Sequence, residues 1–215
     1  MKLILASESP RRAEIMRGAG FVFEACAAKV DEARHAGEAP ADYVRRLAQE
    51  KARAAAAKFP EAGSQETTVI IGADTVVVLE GEILGKPTGA AEARAMLKRL
   101  SGRSHEVHTG MALLRLPDGA MRILEEVTLV EFAPMTAREI EDYVASGEPC
   151  DKAGAYAVQG LGGRFVRRIG GSYFNVMGLP VARLYEELLA MGIEADALSP
   201  AAVKDTYQLW NERAR

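Results

Sequence analysis

The sequence predicts a mixed α/β fold, a sheet with helices on its faces. Two observations lead there: short apolar runs of strand length alternate with segments of helical apolar spacing, and two long strand-like segments stand back to back mid-chain. Leu3-Ile4-Leu5-Ala6 breaks at Ser7-Glu8-Ser9, and Pro10 opens a segment with Ile15 and Met16 that closes at Gly18 and Gly20, which reads as strand, loop, helix. Residues 21–27 read as a second strand, and Ala41 to about Phe59, with Tyr43, Val44, Leu47 and Ala48, as a helix. Val69 to Leu79 is a buried strand interrupted at Asp74-Thr75, and Gly81-Glu82 turns it into Ile83-Leu84. A helix over 90–100 carries Ala93, Met96, Leu97 and Leu100 on one stripe and stops before Gly102. Strands 105–116 and 121–132 flank Pro117-Asp118-Gly119. Thr136 with Glu139 is a capping box opening a helix to Gly147. The stretch 148–178 is glycine-rich with short apolar pieces, one of them a short strand over Ala155–Val158, and Pro180 starts a helix ending near Gly192. Val203, Tyr207 and Trp210 at helical spacing predict a helical tail over 193–215 that packs on the body or on a partner subunit, beyond a single domain at 1–192.

Composition bounds the function. A chain of 215 residues with 48% hydrophobic and 27% charged residues buries a core without staples, as one large domain or two small lobes. With 27 Lys+Arg against 30 Asp+Glu, the net charge of −3 argues against general nucleic-acid or membrane-surface binding. Cys26 and Cys150 are too few for a disulfide framework and read as buried or idle thiols of a reducing compartment. No segment approaches about 18 apolar residues, and the expected location is the cytoplasm.

Three segments carry candidate chemistry. Ser7-Glu8-Ser9-Pro10-Arg11-Arg12 places hydroxyls and guanidiniums where a strand turns into a helix N-terminus. Free amides and planar Arg donors suit a polyphosphate, although an N-cap with solvated arginines has the same pattern. Asp74 puts a charge into an apolar strand, which is costly unless it is paired or metal-bound. Lys86, in Leu84-Gly85-Lys86-Pro87, follows the hairpin and either supplies a cation to the same cleft or sits on a surface turn. Gln159, after Asp151-Lys152-Ala153-Gly154-Ala155-Tyr156, offers a donor and an acceptor suited to a base edge, and fits an ordinary turn as well.

Other patterns fail. Gly81 to Lys86 is one residue short of a P-loop and ends in proline where Ser or Thr would ligate magnesium. Gly160-Leu161-Gly162-Gly163 precedes the strand-like 164–169 and not the helix a dinucleotide fingerprint needs. His105 and His108, three apart in a strand, face opposite ways and make no joint zinc site. Arg164, Arg167 and Arg168 read as a solvated strand face.

Taken together the segments resemble the Maf family of nucleoside-triphosphate pyrophosphatases, from Leu5 to about Leu188. The resemblance rests on Ala6-Ser7-Glu8-Ser9-Pro10-Arg11-Arg12, Ala48-Gln49-Glu50-Lys51-Ala52, Gly72-Ala73-Asp74-Thr75-Val76-Val77, Leu84-Gly85-Lys86-Pro87, Leu100-Ser101-Gly102-Arg103-Ser104-His105, Gly147-Glu148-Pro149, Asp151-Lys152-Ala153-Gly154-Ala155-Tyr156, Gln159-Gly160 and Asn175-Val176-Met177-Gly178-Leu179-Pro180. The chain departs mildly, with Ala157 where glycine is usual and Glu8 inside the first loop.

The resemblance implies an elongated two-lobed fold around a nucleotide cleft, similar to inosine-triphosphate pyrophosphatases, often dimeric and dependent on a divalent metal, magnesium or manganese. It implies Asp74 as general base, with Ser7, Ser9, Arg11, Lys51 and Lys86 on the phosphates. Glu32, in Val30-Asp31-Glu32, joins Asp74 at the metal. Arg12, Thr75 and Gln159 resemble the set that selects dTTP and UTP, and a related branch takes 7-methyl-GTP. Modified pyrimidine nucleotides, 5-methyl-UTP or pseudo-UTP, are the alternative substrates. A nucleotide-sensing division regulator acting through a protein partner is the alternative to an enzyme. Pool sanitation and division arrest both stay open as purposes.

Overall fold

The computed structural model describes residues 1–59 and 67–193. Its elements are β1 (Lys2–Ala6), α1 (Pro10–Gly18), β2 (Glu24–Ala25), α2 (Pro40–Ala56), β3 (Thr68–Leu79), β4 (Glu82–Leu84), α3 (Ala90–Leu100), β5 (Ser104–Leu116), β6 (Met121–Phe132), α4 (Ala137–Ala145), β7 (Val166–Gly170), α5 (Tyr173–Met177) and α6 (Val181–Ala190). Seven strands form one mixed sheet in the order β2-β1-β3-β5-β6-β7, with β4 also on β3. β1 runs parallel to β2 and β3, and the other pairings are antiparallel.

The register makes an opening. β1 pairs with β3 as far as Ala6 opposite Gly72, and β4 takes the same edge only from Leu84 opposite Val77. Between them, Ala73 to Val76 of β3 have no strand partner on that edge. The gap lies at the carboxyl end of β1, the kind of place where open α/β sheets bind ligands.

Alternation along β3 divides the interior. Val69, Ile71 and Ala73 join a core with β1, α1 and α6, whereas Val77 and Leu79 join a second core with α3 and α4. Thr75 falls between these cores on the same face, paired with Thr109 of β5. On the opposite face Ile70, Val76 and Val78 pack under α2 with Ala48, Ala52 and Val44. That helix lies on bare backbone: a Cβ on Gly72 would come 2.1 Å from the Ala48 carbonyl oxygen, and one on Gly110 2.2 Å from that of Val44.

Most expected elements form within a residue or two of their predicted ends, including α3 at 90–100 and the Thr136–Glu139 capping box on α4. Glu80 and Gly81 are both left-handed, φ 53° and 80°, the two-residue turn that closes the β3–β4 hairpin. Three expectations are corrected. The strand over 21–27 shrinks to Glu24–Ala25. No strand forms over Ala155–Val158, because Gly154 and Ala155 are left-handed (φ 66° and 60°) and the chain there runs through short 3-10 turns. Helix α5 was not expected; five residues are too few for periodicity, and its Ser172 cap and Gly178 stop sit inside a glycine-rich stretch. The expected tail lies outside the described residues apart from Ile193. No helix of the described residues is long and apolar enough to cross a membrane. Both cysteines are free, Cys26 half-buried and Cys150 exposed.

Candidate active site

The gap on β3 opens into a cleft of about 550 Å³, and all ten residues singled out above line it: Ser7, Ser9, Arg11, Arg12, Glu32, Lys51, Asp74, Thr75, Lys86 and Gln159. They arrive from six segments. The β1–α1 junction brings the loop serines and the two arginines of the first turn of α1, the loop before α2 brings Glu32, α2 brings Lys51, β3 brings Asp74 and Thr75, the turn after β4 brings Lys86 and the turn before β7 brings Gln159.

Asp74 and Thr75 are consecutive in a strand and so project to opposite faces. Asp74 meets α2, where Lys51 Nζ lies 2.7 Å from Asp74 Oδ1 and 2.7 Å from Glu32 Oε1. The lysine and aspartate side chains are nearly buried. One ammonium thus bridges two carboxylates, which answers the cost of placing Asp74 in an apolar strand. The Glu32 carboxyl is held below its usual range: burial pushes it up most strongly, but the Lys51 hydrogen bond with the charges of Lys51, Lys86 and Arg12 outweighs it.

Thr75 faces the other way, into a polar row between the two cores. Its hydroxyl accepts from Arg12 Nη2 at 3.1 Å and lies 2.9 Å from the Thr109 hydroxyl. Arg12 Nε donates to the Gly178 carbonyl at 2.8 Å and Nη1 to Ser7 Oγ at 3.2 Å. Three of the five Arg12 N–H donors are therefore used internally, leaving two. Burial lowers its pKa, with Asp74 opposing, Arg11 reinforcing and Glu32 opposing. The row continues through Thr109, which donates to the Asn175 carbonyl at 3.2 Å.

At the start of α1, Pro10 stands in the first turn and Ser9 makes no side-chain cap, so the first-turn amides have no partner inside the helix. Arg11 reaches 3.8 Å to Asp151, which also pairs with Lys152. Lys86 is exposed and lines the cleft.

Sequence reasoning did not single out Tyr43, and it gave Asp151 and Lys152 no role of their own within the third candidate segment; all three also line the cleft. The Tyr43 hydroxyl donates to the Glu32 carbonyl at 2.9 Å, and its pKa is pushed up to about 12 by burial, then by Asp74 and Glu32. Arg46 of α2 clasps Glu38 at 2.6 Å and 2.9 Å and the Ala33 carbonyl at 3.0 Å, so the loop carrying Glu32 is strapped to the helix carrying Lys51. In the sequence Tyr43 and Arg46 differ in no way from ordinary residues of an amphipathic helix.

No group of three or more metal-ligating side chains occurs among the described residues. Two carboxylates converging on one point, already filled by an ammonium, nevertheless fit an ion that keeps water and phosphate oxygens as its other ligands, as magnesium does. His105 and His108 face opposite ways as expected, His105 Nε2 bonding Tyr156 Oη at 2.8 Å and His108 Nδ1 bonding Glu125 at 2.6 Å.

Cations, a helix N-terminus and an acid pair gathered at the open edge of a mixed sheet define an α/β protein with a site for an anionic, phosphate-bearing ligand. The Maf-like protein family matches residues 2–191, and the chain belongs to that family. The dTTP/UTP pyrophosphatase of Syntrophus aciditrophicus (strain SB) is 50% identical over 191 residues, 89% of this chain and 90% of its own. That of Symbiobacterium thermophilum is 47% identical over 191 residues, 89% of this chain and 94% of its own. That of Carboxydothermus hydrogenoformans is 49% identical over 192 residues, 89% of this chain and 100% of its own. The solved Ham1 protein of Staphylococcus aureus overlaps with a TM-score of 0.41 and 15% identity, over 62% of this chain and 72% of its own, too loosely to carry an argument.

Proposed function

We propose that the chain hydrolyses dTTP and UTP to the nucleoside monophosphate and pyrophosphate, with a divalent cation, magnesium or manganese. The observation that carries the reading is the Glu32–Lys51–Asp74 bridge inside a cation-lined cleft, in a chain whose near relatives bear the name dTTP/UTP pyrophosphatase. In this reading Arg11, Lys51 and Lys86 bind the triphosphate, and Ser7 and Ser9 add hydroxyl and amide donors. Asp74 orients a water against the α-phosphorus and takes its proton. As the water oxygen bonds to phosphorus, the bond to the bridging oxygen breaks and pyrophosphate leaves with the electron pair. Asp74 and Glu32 would hold the cation. When bound, it acidifies water and neutralises phosphate charge, which suits a carboxylate base.

Base selection falls to Arg12, Thr75 and Gln159. The Thr75 hydroxyl is already engaged by Arg12 and Thr109, so in this reading the two free Arg12 N–H groups and the Gln159 amide do the hydrogen bonding. Uracil and thymine differ by one methyl, a discrimination of about 1–3 kcal/mol at most, so one pocket takes both. The reading includes a cytoplasmic location, where free nucleotide is available, and a homodimer.

The test is incubation with magnesium and dTTP, UTP, CTP, GTP, 7-methyl-GTP or ITP, with products separated by chromatography. Monophosphate and pyrophosphate from dTTP and UTP alone support the proposal. Product from 7-methyl-GTP instead keeps the chemistry and overturns the base assignment. Binding without product from any nucleotide turns the reading to a sensor.

A further inference from the structure

We propose that Glu148 is a positioning residue for base selection: its carboxylate, with the Tyr143 hydroxyl, fixes the turn that presents Gln159 to the cleft. This rests on the reading of Gln159 as a base-contacting residue.

Gly147, left-handed at φ 79°, ends the α4 region and turns Glu148 toward the segment 157–163. There Glu148 Oε1 accepts the Tyr143 hydroxyl at 2.6 Å and the Gly162 amide at 3.0 Å, while Oε2 accepts the Leu161 amide at 2.9 Å. The Tyr143 oxygen in turn accepts the Ala157 amide at 3.1 Å. The turn is therefore tied on both sides of Gln159, at Ala157 and at Leu161–Gly162, to one carboxylate–phenol pair. Gln159 is exposed at the apex, lines the cleft, and has no hydrogen-bond partner among the described residues.

The turn lies flat on the carboxylate. A Cβ on Gly160 would come 2.1 Å from Glu148 Oε2, so a larger residue there would have to push the carboxylate off its donors. A carboxylate supplies acceptors only, and all three groups that reach it are donors. Burial raises the Glu148 pKa, but Tyr143, Gly162, Leu161 and Lys152 together hold it below its usual range, so it stays an anion at neutral pH. A glutamine in its place would aim an amide N–H at one of these donors and release one side of the turn.

An anchor that acted only on stability would weaken every nucleotide alike. An anchor that acts through Gln159 changes which base is accepted. The experiment uses the full chain and the variants Gln159→Ala, Glu148→Gln, the double variant and Tyr143→Phe, with kcat and KM measured for UTP and CTP. These bases carry opposite donor and acceptor patterns at N3 and position 4. For Gln159→Ala and for Glu148→Gln the UTP:CTP ratio of kcat/KM falls about 10-fold, in KM, with kcat for UTP within about threefold of wild type. The double variant falls no further than either single one, because the two residues act as a unit. Tyr143→Phe keeps both amide bonds to Glu148 and lowers the same ratio about threefold, and it carries the test should Glu148→Gln not fold. A changed ratio in Gln159→Ala with none in Glu148→Gln and Tyr143→Phe, or additive losses in the double variant, overturns the positioning role alone. An unchanged ratio in Gln159→Ala overturns the role of Gln159 and the inference with it.

Discussion

Lys51 Nζ lies 2.7 Å from Asp74 Oδ1 with the two side chains only 10% and 13% exposed, joining the middle of helix α2 to the unpartnered edge of β3. A pair this well removed from water is costly to assemble, and deleting one partner strands the other. Its worth lies in what it holds ready: a carboxylate whose geometry is set before any ligand arrives, and a cation able to turn from it to a phosphate.

Asp74→Asn removes the charge and the proton acceptor and keeps the shape. Hydrolysis of dTTP and UTP is expected to fall at least ~10³-fold, within the range general-base catalysis and cation placement supply together. Nucleotide binding, followed by calorimetry, is expected to persist because the phosphate-binding cations remain. Turnover within tenfold of wild type would remove Asp74 from the role of base.

Gly72→Ala tests how the pair is brought together. The added Cβ would meet the Ala48 carbonyl oxygen at 2.1 Å and the Ala52 amide nitrogen at 2.8 Å, backbone atoms of the helix that carries Lys51. Either the helix lifts from the sheet or the strand shifts, at a cost of about 2–3 kcal/mol. Thermal unfolding is expected several degrees lower, and kcat is expected to drop more than the stability loss explains, because Lys51 moves off Asp74. An unchanged melting temperature would mean the helix has room to give.

Much of this was legible in the sequence, and the reasons differ by residue. Asp74 stood out because a charge in an apolar strand demands a partner, and the strand alternation put Thr75 on the other face. Arg11 and Arg12 stood out through the strand-to-helix turn before them. The close approach at Gly110 was hidden, because one glycine in a long strand is consistent with any bulge or turn and only the packed helix reveals what it admits. The strap from Arg46 to Glu38 and the Tyr43 bond behind Glu32 were hidden for a related reason: they join a loop without periodicity to a helix whose own pattern already explains those residues. The Glu148 anchor joins two glycine-rich turns across 14 positions, a distance no local pattern spans.

His105 predicts a pH dependence of stability. It is 2% exposed, bonded only through Nε2 to Tyr156, with Nδ1 unpartnered and the rings of Phe132 and Tyr156 edge-on at 5.0 Å and 5.3 Å. Burial pushes its pKa down from 6.5 to about 4. The unfolded chain therefore takes up a proton as pH falls through 6.5, while the folded chain refuses it until near 4. The contribution is complete above pH 7 and is lost as the pH falls across that window, about 2 kcal/mol of it by pH 5. Urea unfolding at pH 7.5 and 5 should show the loss in the wild type and a smaller one in His105→Gln; equal losses would assign the acid sensitivity elsewhere.

Glu32 gives the last prediction. It reaches the cleft from a loop, its side chain is 53% exposed, and its contact with the buried pair is the 2.7 Å bond to Lys51. If it serves to complete a cation site with Asp74, chelation should stop hydrolysis and added magnesium or manganese should restore it. Glu32→Gln keeps an oxygen toward Lys51 but loses the charge, so the metal concentration for half-maximal rate should rise at least ~10-fold while the rate at saturating metal recovers. Manganese binding to the nucleotide complex, followed by water-proton relaxation, should weaken in parallel and gives a readout apart from turnover. Arg46→Ala, which opens the strap behind Glu32 and leaves the carboxylate intact, should shift the same metal concentration in the same direction by a smaller factor. A Glu32→Gln variant with lowered rate at every metal concentration and unchanged manganese binding would instead make Glu32 a partner of Lys51 alone, and the cation would have to rest on Asp74 and the phosphates.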